Sequence, residues 1–305
     1  MPPEHGKIWM NGVLVNWDDA KVHVLTHSMH YGTAVFEGIR VFNTPKGPAV
    51  FRLKDHLRRL YDSAKIYCMN IPFEMKELQE AVKEVARSTG LEECYVRPLV
   101  YRGYGNMGVN PIRNPVDVAI AAWGWDSYLS VDGKPGIRCM VSSWRRISSD
   151  SLPPQAKSVA NYANSALAKM EAVQNGYEEA IMLNSEGMVA EGSGENIFKV
   201  KNGVVGTPPA TAGVLRGVTR DTVLRIAGEI GTPVERVNIS REELYTSDEL
   251  FFTGTASGVV PISEVDGRRV GDGKNYPLTM KIRKHYEDLV HGRSSNHEDW
   301  FTYVY

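Results

Sequence analysis

Apolar residues recur every three to four positions along some stretches of the chain and alternate along others. The two periods separate predicted helices from predicted strands. Leu57, Leu60, Ala64 and Tyr67 share one side of residues 55–69, which predicts an amphipathic helix there. A second helix is predicted over 73–89, closed by Gly90 at its C-cap. A third covers 158–175 and ends at Gly176, with Val159, Tyr162, Ala166, Met170 and Val173 on the face expected to meet the core. Shorter helices fit 218–228 and 241–245. Residues 94–102 and 116–123 are rich in β-branched and aromatic side chains and read as strands. Residues 7–10 and 13–17 flank Asn11-Gly12, the dipeptide preferred in tight hairpins. "EEAIMLNSEGMVAEGS" reads as another hairpin, and "ELFFTGTASGVVPISEVDG" as strand, loop, strand.

Periodicity disappears in "SYLSVDGKPG", where turn formers collect. We therefore expect an α+β chain of two domains. The first is a small N-terminal α/β domain over 1–126. Residues 127–136 form a linker. A larger C-terminal domain over 137–305 carries mixed, mainly antiparallel β structure.

Composition narrows the function classes. The 305 residues carry 35 basic and 36 acidic side chains, so no charge excess argues for nucleic acid or an anionic membrane as partner. No apolar run reaches membrane-spanning length, and the first residues lack the apolar centre of a signal peptide. Cys68, Cys94 and Cys139 stand apart, with no CxxC pair, which suits a reducing cytoplasm.

Candidate chemistry begins at "SLPPQAKSVANYANSALAKMEA". Lys157 precedes the first turn of the third helix, where unpaired N–H groups place positive potential that disfavours an ammonium. A neutral amine there suits a Schiff-base nucleophile. Taken alone, Lys157 also reads as a solvated loop lysine, and Lys169 reads as a surface residue. Glu191, before a glycine turn, could keep a heteroaromatic nitrogen protonated, as an electron-sink cofactor requires. It could equally be a turn-flanking surface carboxylate. "LRGVTRD" places Gly217, Val218 and Thr219 at a helix start, a cradle for phosphate or a plain cap. "FTGTASG", with Thr255, is a second nest of small residues. Arg59 would suit a phosphate, though Arg58 beside it fits a solvated basic face. In "CYVRPLVYRG" a period of two puts Tyr95, Arg97, Leu99 and Tyr101 on one face. A cation among phenols and a leucine suits a small carboxylate beside apolar surface, or else an internal ion pair.

Other chemistries find no support. The eight histidines form no HxxxH zincin motif with its glutamate, and no metal is expected. No GxSxG elbow occurs. "GYGNMG" has dinucleotide-motif spacing but does not lead into a helix.

The ordered set "HYGTAVFEGIRVF", "FRLKDHLRRLYDSAKIY", "YVRPLVYRGYGNMGVNP", "AKSVANYANSALAKMEA", "EGSGENIF", "LRGVTRD" and "TGTASG" resembles the branched-chain amino acid aminotransferases. These belong to the class IV, pyridoxal-phosphate-dependent group of fold type IV. The likeness runs from about Trp9 to about Gly271. It implies reversible amino transfer between leucine, isoleucine or valine and 2-oxoglutarate, in two half-reactions on one lysine. D-amino-acid transaminases and aminodeoxychorismate lyase share the lysine and glutamate but lack the Tyr-x-Arg strand in this form.

The resemblance implies roles by motif position. Lys157 would be the Schiff-base lysine and move the proton. Glu191 would pair with the pyridine nitrogen, and Tyr162 with the phenolic oxygen. Arg59, Gly217, Val218, Thr219 and Thr255 would hold the phosphate, and Leu215 would pack under the ring. Phe36, Gly38, Tyr95, Trp125, Tyr128 and Ala256 would line the substrate pocket. Tyr95 and the Thr255–Ala256 amides would meet the α-carboxylate, and Arg97 the side-chain carboxylate of glutamate. Tyr31 and Val109 would come from a neighbouring subunit, implying a homodimer or a hexamer of three dimers. Two departures stand out: Arg216 in "LRGVTRD", where many relatives have proline, and "TASGVVPI" in place of an acidic continuation.

Overall fold

The computed structural model describes residues 6–125, 129 and 133–305. Half of the expected linker therefore lies outside the described residues, as does Tyr128. The chain divides into two compact units. Unit 1 comprises Met1–Asp126, Ala156–Ala160 and Leu289–Tyr305; unit 2 comprises Ser127–Gln155 and Asn161–Asp288. The division is thus not one cut. Residues 156–160 and 289–305, placed in the C-terminal domain by the sequence reading, group with unit 1.

Unit 1 is built on an antiparallel sheet. Its strand order is Phe301–Tyr303, Ala49–Phe51, Ile39–Phe42, Cys94–Arg102, Val116–Trp123, Lys7–Met10 and Val13–Asn16, with Ala34–Phe36 also paired to Cys94–Arg102. The hairpin at Asn11-Gly12 forms as expected. Both residues are left-handed, at φ 48° and 98°, as a type I′ turn requires. The α-helices that lie wholly in this unit, among the described residues, are α1 (His27–Tyr31), α2 (Leu53–Ile66) and α3 (Met75–Thr89). Leu53, Leu57 and Leu60 of α2 and Leu78, Val82 and Val85 of α3 pack on Cys94, Val96 and Val100 of the sheet. Burying each such aliphatic side chain contributes roughly 1.5–3 kcal/mol. The alternate positions Tyr95, Arg97, Leu99 and Tyr101 are outside that core, so the long strand reads with the predicted period of two.

Unit 2 carries a mixed sheet. Its order is Val189–Gly192, Glu179–Leu183, Ile137–Val141, Gly258–Val265, Glu249–Gly254, Asn196–Lys201, Val204–Thr207 and Val234–Arg236. Ile137–Val141 runs parallel to both its neighbours, and Val204–Thr207 runs parallel to Val234–Arg236; the other pairings are antiparallel. The remaining α-helices among the described residues are α4 (Val159–Gln174), whose first two residues belong to unit 1, α5 (Val218–Glu229), α6 (Arg241–Thr246) and α7 (Pro277–Val290).

Helix α4 corrects the sequence reading. The face expected in the core is largely solvent-exposed: Met170 is 52% and Val173 57% accessible. Asn161, Ser165, Ala168 and Ala172 are buried instead. Ala168 and Ala172 pack on Ala180 and Met182, and such small side chains let a helix lie close on its sheet. Lys169 is also not a surface lysine. Its Nζ donates to the Glu178 carbonyl at 2.6 Å and to Glu179 Oε2 at 2.7 Å, neutralising a fully buried carboxylate.

Candidate active site

In unit 1 the backbone of Lys157 is fixed from both sides. Its N–H donates to Ser63 Oγ at 3.0 Å, and its carbonyl accepts from the Phe36 N–H at 3.0 Å. Ser158 continues the contact as a bridge to Val35, and Tyr67 Oη donates to Ser158 Oγ at 2.9 Å. The side chain is half-buried, with Nζ 5.0 Å from the centre of the Phe36 ring. A strand-like segment, two residues ahead of α4, thus presents the amine beside an aromatic wall.

Phe36, Gly38, Tyr95, Arg97 and Trp125 lie close together in the same unit. Arg97 lies over the Phe36 ring at 4.8 Å and the Tyr95 ring at 5.4 Å. Trp125 stacks on Tyr95 with centroids 4.5 Å apart. Gly38 is required by packing: a Cβ there would sit 1.9 Å from Tyr95 Oη. Arg97 Nη2 reaches Tyr95 Oη at 3.4 Å, and Arg97 Nε is buried with no hydrogen-bond partner among the described residues. No carboxylate pairs with Arg97 among those residues, which disfavours the internal ion pair that the sequence left open. A cavity of about 470 Å³ lies on the same sheet face, bordered by Arg97, Leu99, Tyr101, Ala119 and Ala121.

Arg59 has a partner the sequence did not announce. Its Nε donates to Glu37 Oε1 at 2.6 Å and its Nη2 to Glu37 Oε2 at 2.8 Å. His56 Nδ1 meets Glu37 Oε2 at 2.8 Å. Glu37 and His56 are both buried. Burial pushes the Glu37 carboxyl up, but the Arg59 guanidinium and the His56 ring outweigh it and hold it well below the usual carboxylate range. Burial pulls His56 below its ordinary value, against the pull of Glu37, so the ring is neutral and Nδ1–H donates. Arg59 is therefore fixed by a two-bond fork to Glu37. Glu37 and His56 are the functional residues missed, because only the pairing of distant segments reveals them.

In unit 2, Glu191 is buried and held by three donors. Arg146 Nη2 lies 2.9 Å from Oε1, while Asn196 Nδ2 at 3.0 Å and the Leu215 N–H at 2.9 Å donate to Oε2. Arg146 and Asn196 were also missed. Asn196 Nδ2 donates in addition to the Leu215 carbonyl at 2.9 Å, tying the carboxylate to the turn before α5. Gly217 exists for that tie: a Cβ there would lie 2.0 Å from Asn196 Oδ1. Tyr162 and Leu215 border one hollow with Glu191, Arg146 and Asn196. Glu195 borders it too; burial, then the Glu179 carboxylate, push its carboxyl up to about 8 against the pull of Lys169.

Two further turns of unit 2 carry residues that the sequence reading assigned to a phosphate. Gly217 is the N-cap of α5 and offers no side-chain cap, and Val218 and Thr219 follow in the first turn. Thr255 and Ala256 form the turn between Glu249–Gly254 and Gly258–Val265, closed by the left-handed Gly258 at φ 68°. Ser257 Oγ in that turn is buried without a hydrogen-bond partner among the described residues, an unused polar atom where an anion would need one.

Tyr31 and Val109 lie elsewhere in unit 1, 43% and 77% exposed. Tyr31 Oη donates to the Met107 carbonyl at 3.1 Å, so both belong to one exposed patch.

The sequence profile of the family described as Amino-transferase class IV matches residues 34–265. The chain belongs to the class IV aminotransferases. Within them it falls with the branched-chain group, and it is a transaminase. It is 47% identical to the branched-chain-amino-acid aminotransferase of Pseudomonas aeruginosa over 305 residues, 100% of this chain and 99% of that one. The branched-chain amino acid aminotransferase of T.th., complexed with N-(5'-phosphopyridoxyl)-L-glutamate, superposes with a TM-score of 0.95 at 48% identity, covering 99% of each chain. The same protein complexed with 4-methylvaleric acid gives 0.95 and 48%, again with 99% of each covered. As a class IV aminotransferase the chain has the expected α+β architecture with mixed, mainly antiparallel sheet in unit 2.

Proposed function

We propose that this aminotransferase moves an amino group reversibly between leucine, isoleucine or valine and 2-oxoglutarate, with pyridoxal 5'-phosphate as cofactor. The observation that carries the reading is Arg97. It is a cation on an aromatic and aliphatic wall with no carboxylate partner among the described residues. Phe36, Gly38, Tyr95, Trp125 and Ala256 wall the branched side chain, and Arg97 takes the second carboxylate when glutamate replaces it. One pocket thereby accepts both substrates without a charged lining. The solved relatives carry a glutamate adduct and a branched aliphatic acid, which supports the same pair of ligands.

The cofactor, when bound, supplies a reactive carbonyl and an electron-withdrawing ring that stabilises charge at the substrate's α-carbon. The protein supplies the rest. Lys157 anchors it covalently and, as a free amine, takes and returns the proton at the α-carbon. Glu191, ion-paired with Arg146, keeps a proton on the ring nitrogen. Tyr162 meets the phenolic oxygen, and Leu215 packs under the ring. Arg59, Gly217, the Val218 and Thr219 amides, and the Thr219 and Thr255 hydroxyls hold the phosphate. Tyr95 and the Thr255–Ala256 amides receive the α-carboxylate.

Tyr31 and Val109 complete the pocket of a second copy, so the active unit is a homodimer or a hexamer of such dimers. Val22, Val24, Met29, Tyr104 and Ile112 are further exposed apolar residues of unit 1, which supports self-association. Three unpaired cysteines support a cytoplasmic home. Among the described residues no helix is long and apolar enough to cross a membrane.

A coupled assay with L-leucine and 2-oxoglutarate tests the reading; glutamate formation is expected. Turnover of D-alanine or aminodeoxychorismate without it would overturn the assignment. Borohydride reduction and peptide mapping should place the pyridoxyl adduct on Lys157 alone.

A further inference from the structure

His27 is fully buried, and none of the chemistry above uses it. It lies at the start of α1, and its backbone N–H and its Nε2 both bond to the loop that spans 103–114. Nε2 is 2.9 Å from the Gly108 carbonyl, which can only accept, so Nε2 carries the proton. In that tautomer Nδ1 accepts from the Thr33 hydroxyl, 2.8 Å away. The His27 N–H donates to the Gly103 carbonyl at 3.3 Å, and the imidazole lies 4.6 Å from the Tyr31 ring, centre to centre. Asn114 Nδ2 donates to the Gly103 and Asn106 carbonyls, and Asn106 Oδ1 accepts the Gly108 N–H at 2.9 Å.

These contacts grip a segment whose side chains mostly face solvent. Tyr104, Val109 and Ile112 are exposed, and Val109 at 77% is bonded directly to the residue His27 holds. A free loop of this kind loses backbone conformational entropy when ordered. A buried imidazole that orders it beforehand makes sense if the loop must present Val109 to something in a fixed pose.

We propose that His27 is a positioning residue for substrate side-chain selection, acting through Val109 in the pocket of a second copy of the chain. The inference rests on the reading that Val109 walls a neighbouring pocket. His27 fixes the Gly108 carbonyl, Gly108 fixes Val109, and Val109 sets how closely a branched side chain is enclosed.

The test uses the loaded full-length enzyme and compares kcat/KM for L-leucine and L-alanine. His27→Phe keeps the ring and removes both bonds. The leucine-to-alanine ratio should fall by ~10-fold or more, the discrimination that a few methylenes carry in an apolar pocket. Thr33→Val, which leaves the ring in place, should lower the ratio by a smaller factor and covers the case in which His27→Phe does not fold. His27→Gln, which retains an N–H donor, should recover part of the ratio. An equal loss for both amino acids in every variant would mean a structural role and overturn the proposal. A tagged hybrid then pairs a His27→Phe subunit with a Lys157→Ala subunit that retains His27. Its working pocket receives an intact loop from the partner, so the ratio should return to the wild-type value. A ratio that stays low in the hybrid would overturn action across subunits. A wild-type enzyme that does not prefer leucine to alanine would overturn the substrate reading itself, and the inference with it.

Discussion

Arg97 and Glu191 are both charges set among largely enclosed side chains, and their surroundings differ in kind. Arg97 lies over aromatic rings, touches one phenol, and has a buried Nε without a partner among the described residues. Glu191 is met by a guanidinium, an amide and a backbone N–H. A buried charge left unpaired costs free energy, so the first arrangement suits a ligand that arrives and leaves in each cycle. The second suits a resident group, because its geometry is complete before that group binds. Proximity to the chemistry does not separate the two residues; the number of donors or acceptors already committed to each one does.

The contrast predicts how each residue fails. Glu191→Gln should have the largest effect. kcat should fall by roughly 10²–10⁴ for every substrate alike, the scale of a lost proton-holding group, in single-turnover assays of both half-reactions. Arg97→Met should act on one side only. The KM for 2-oxoglutarate should rise by on the order of 10–100-fold, the worth of a charge-assisted hydrogen bond, while leucine kinetics change little. Equal damage to both substrates would break the comparison, since Arg97 would then serve the site as a whole. Asn196→Ala should be milder, about a 10-fold loss in cofactor affinity by equilibrium titration, because it loosens the tie between Glu191 and the turn at Leu215.

Glu195→Gln should leave the reaction at neutral pH nearly unchanged and alter the stability profile. The Glu195 carboxyl is pushed up to about 8, against 4.5 for an ordinary glutamate. Between those values the native chain holds a proton that the unfolded chain has released. Stability therefore falls as pH rises through that window and levels off above it. The variant should melt on the order of a few degrees higher than wild type at alkaline pH and no higher below the window. Parallel melting curves at both extremes would remove Glu195 from the account.

The sequence showed much of this because key residues sit in short, ordered segments. Alternation along one strand put Arg97 and Tyr95 on one face, and the glycine-containing segments marked the start of α5 and the turn at Thr255. Other features escaped it for physical reasons. The apolar periodicity of α4 pointed to Met170 and Val173, yet close packing selected Ala168 and Ala172. Lys169 looked like a surface residue because Glu179, its buried partner, lies on a separate strand. Glu37, His56, Arg146 and Asn196 gain meaning only through long-range contacts, which no local pattern encodes.

Gly38 and Tyr95 carry a consequence for any attempt to change what the enzyme accepts. A side chain at position 38 would occupy the place of the Tyr95 hydroxyl, so the two positions cannot vary independently. A library that randomises Gly38 alone should return almost only glycine. One that opens both positions together should admit new pairs, such as a small residue at 95 with a larger one at 38. The useful unit of variation here is the pair, and an evolutionary path that moves one residue at a time has to change Tyr95 first.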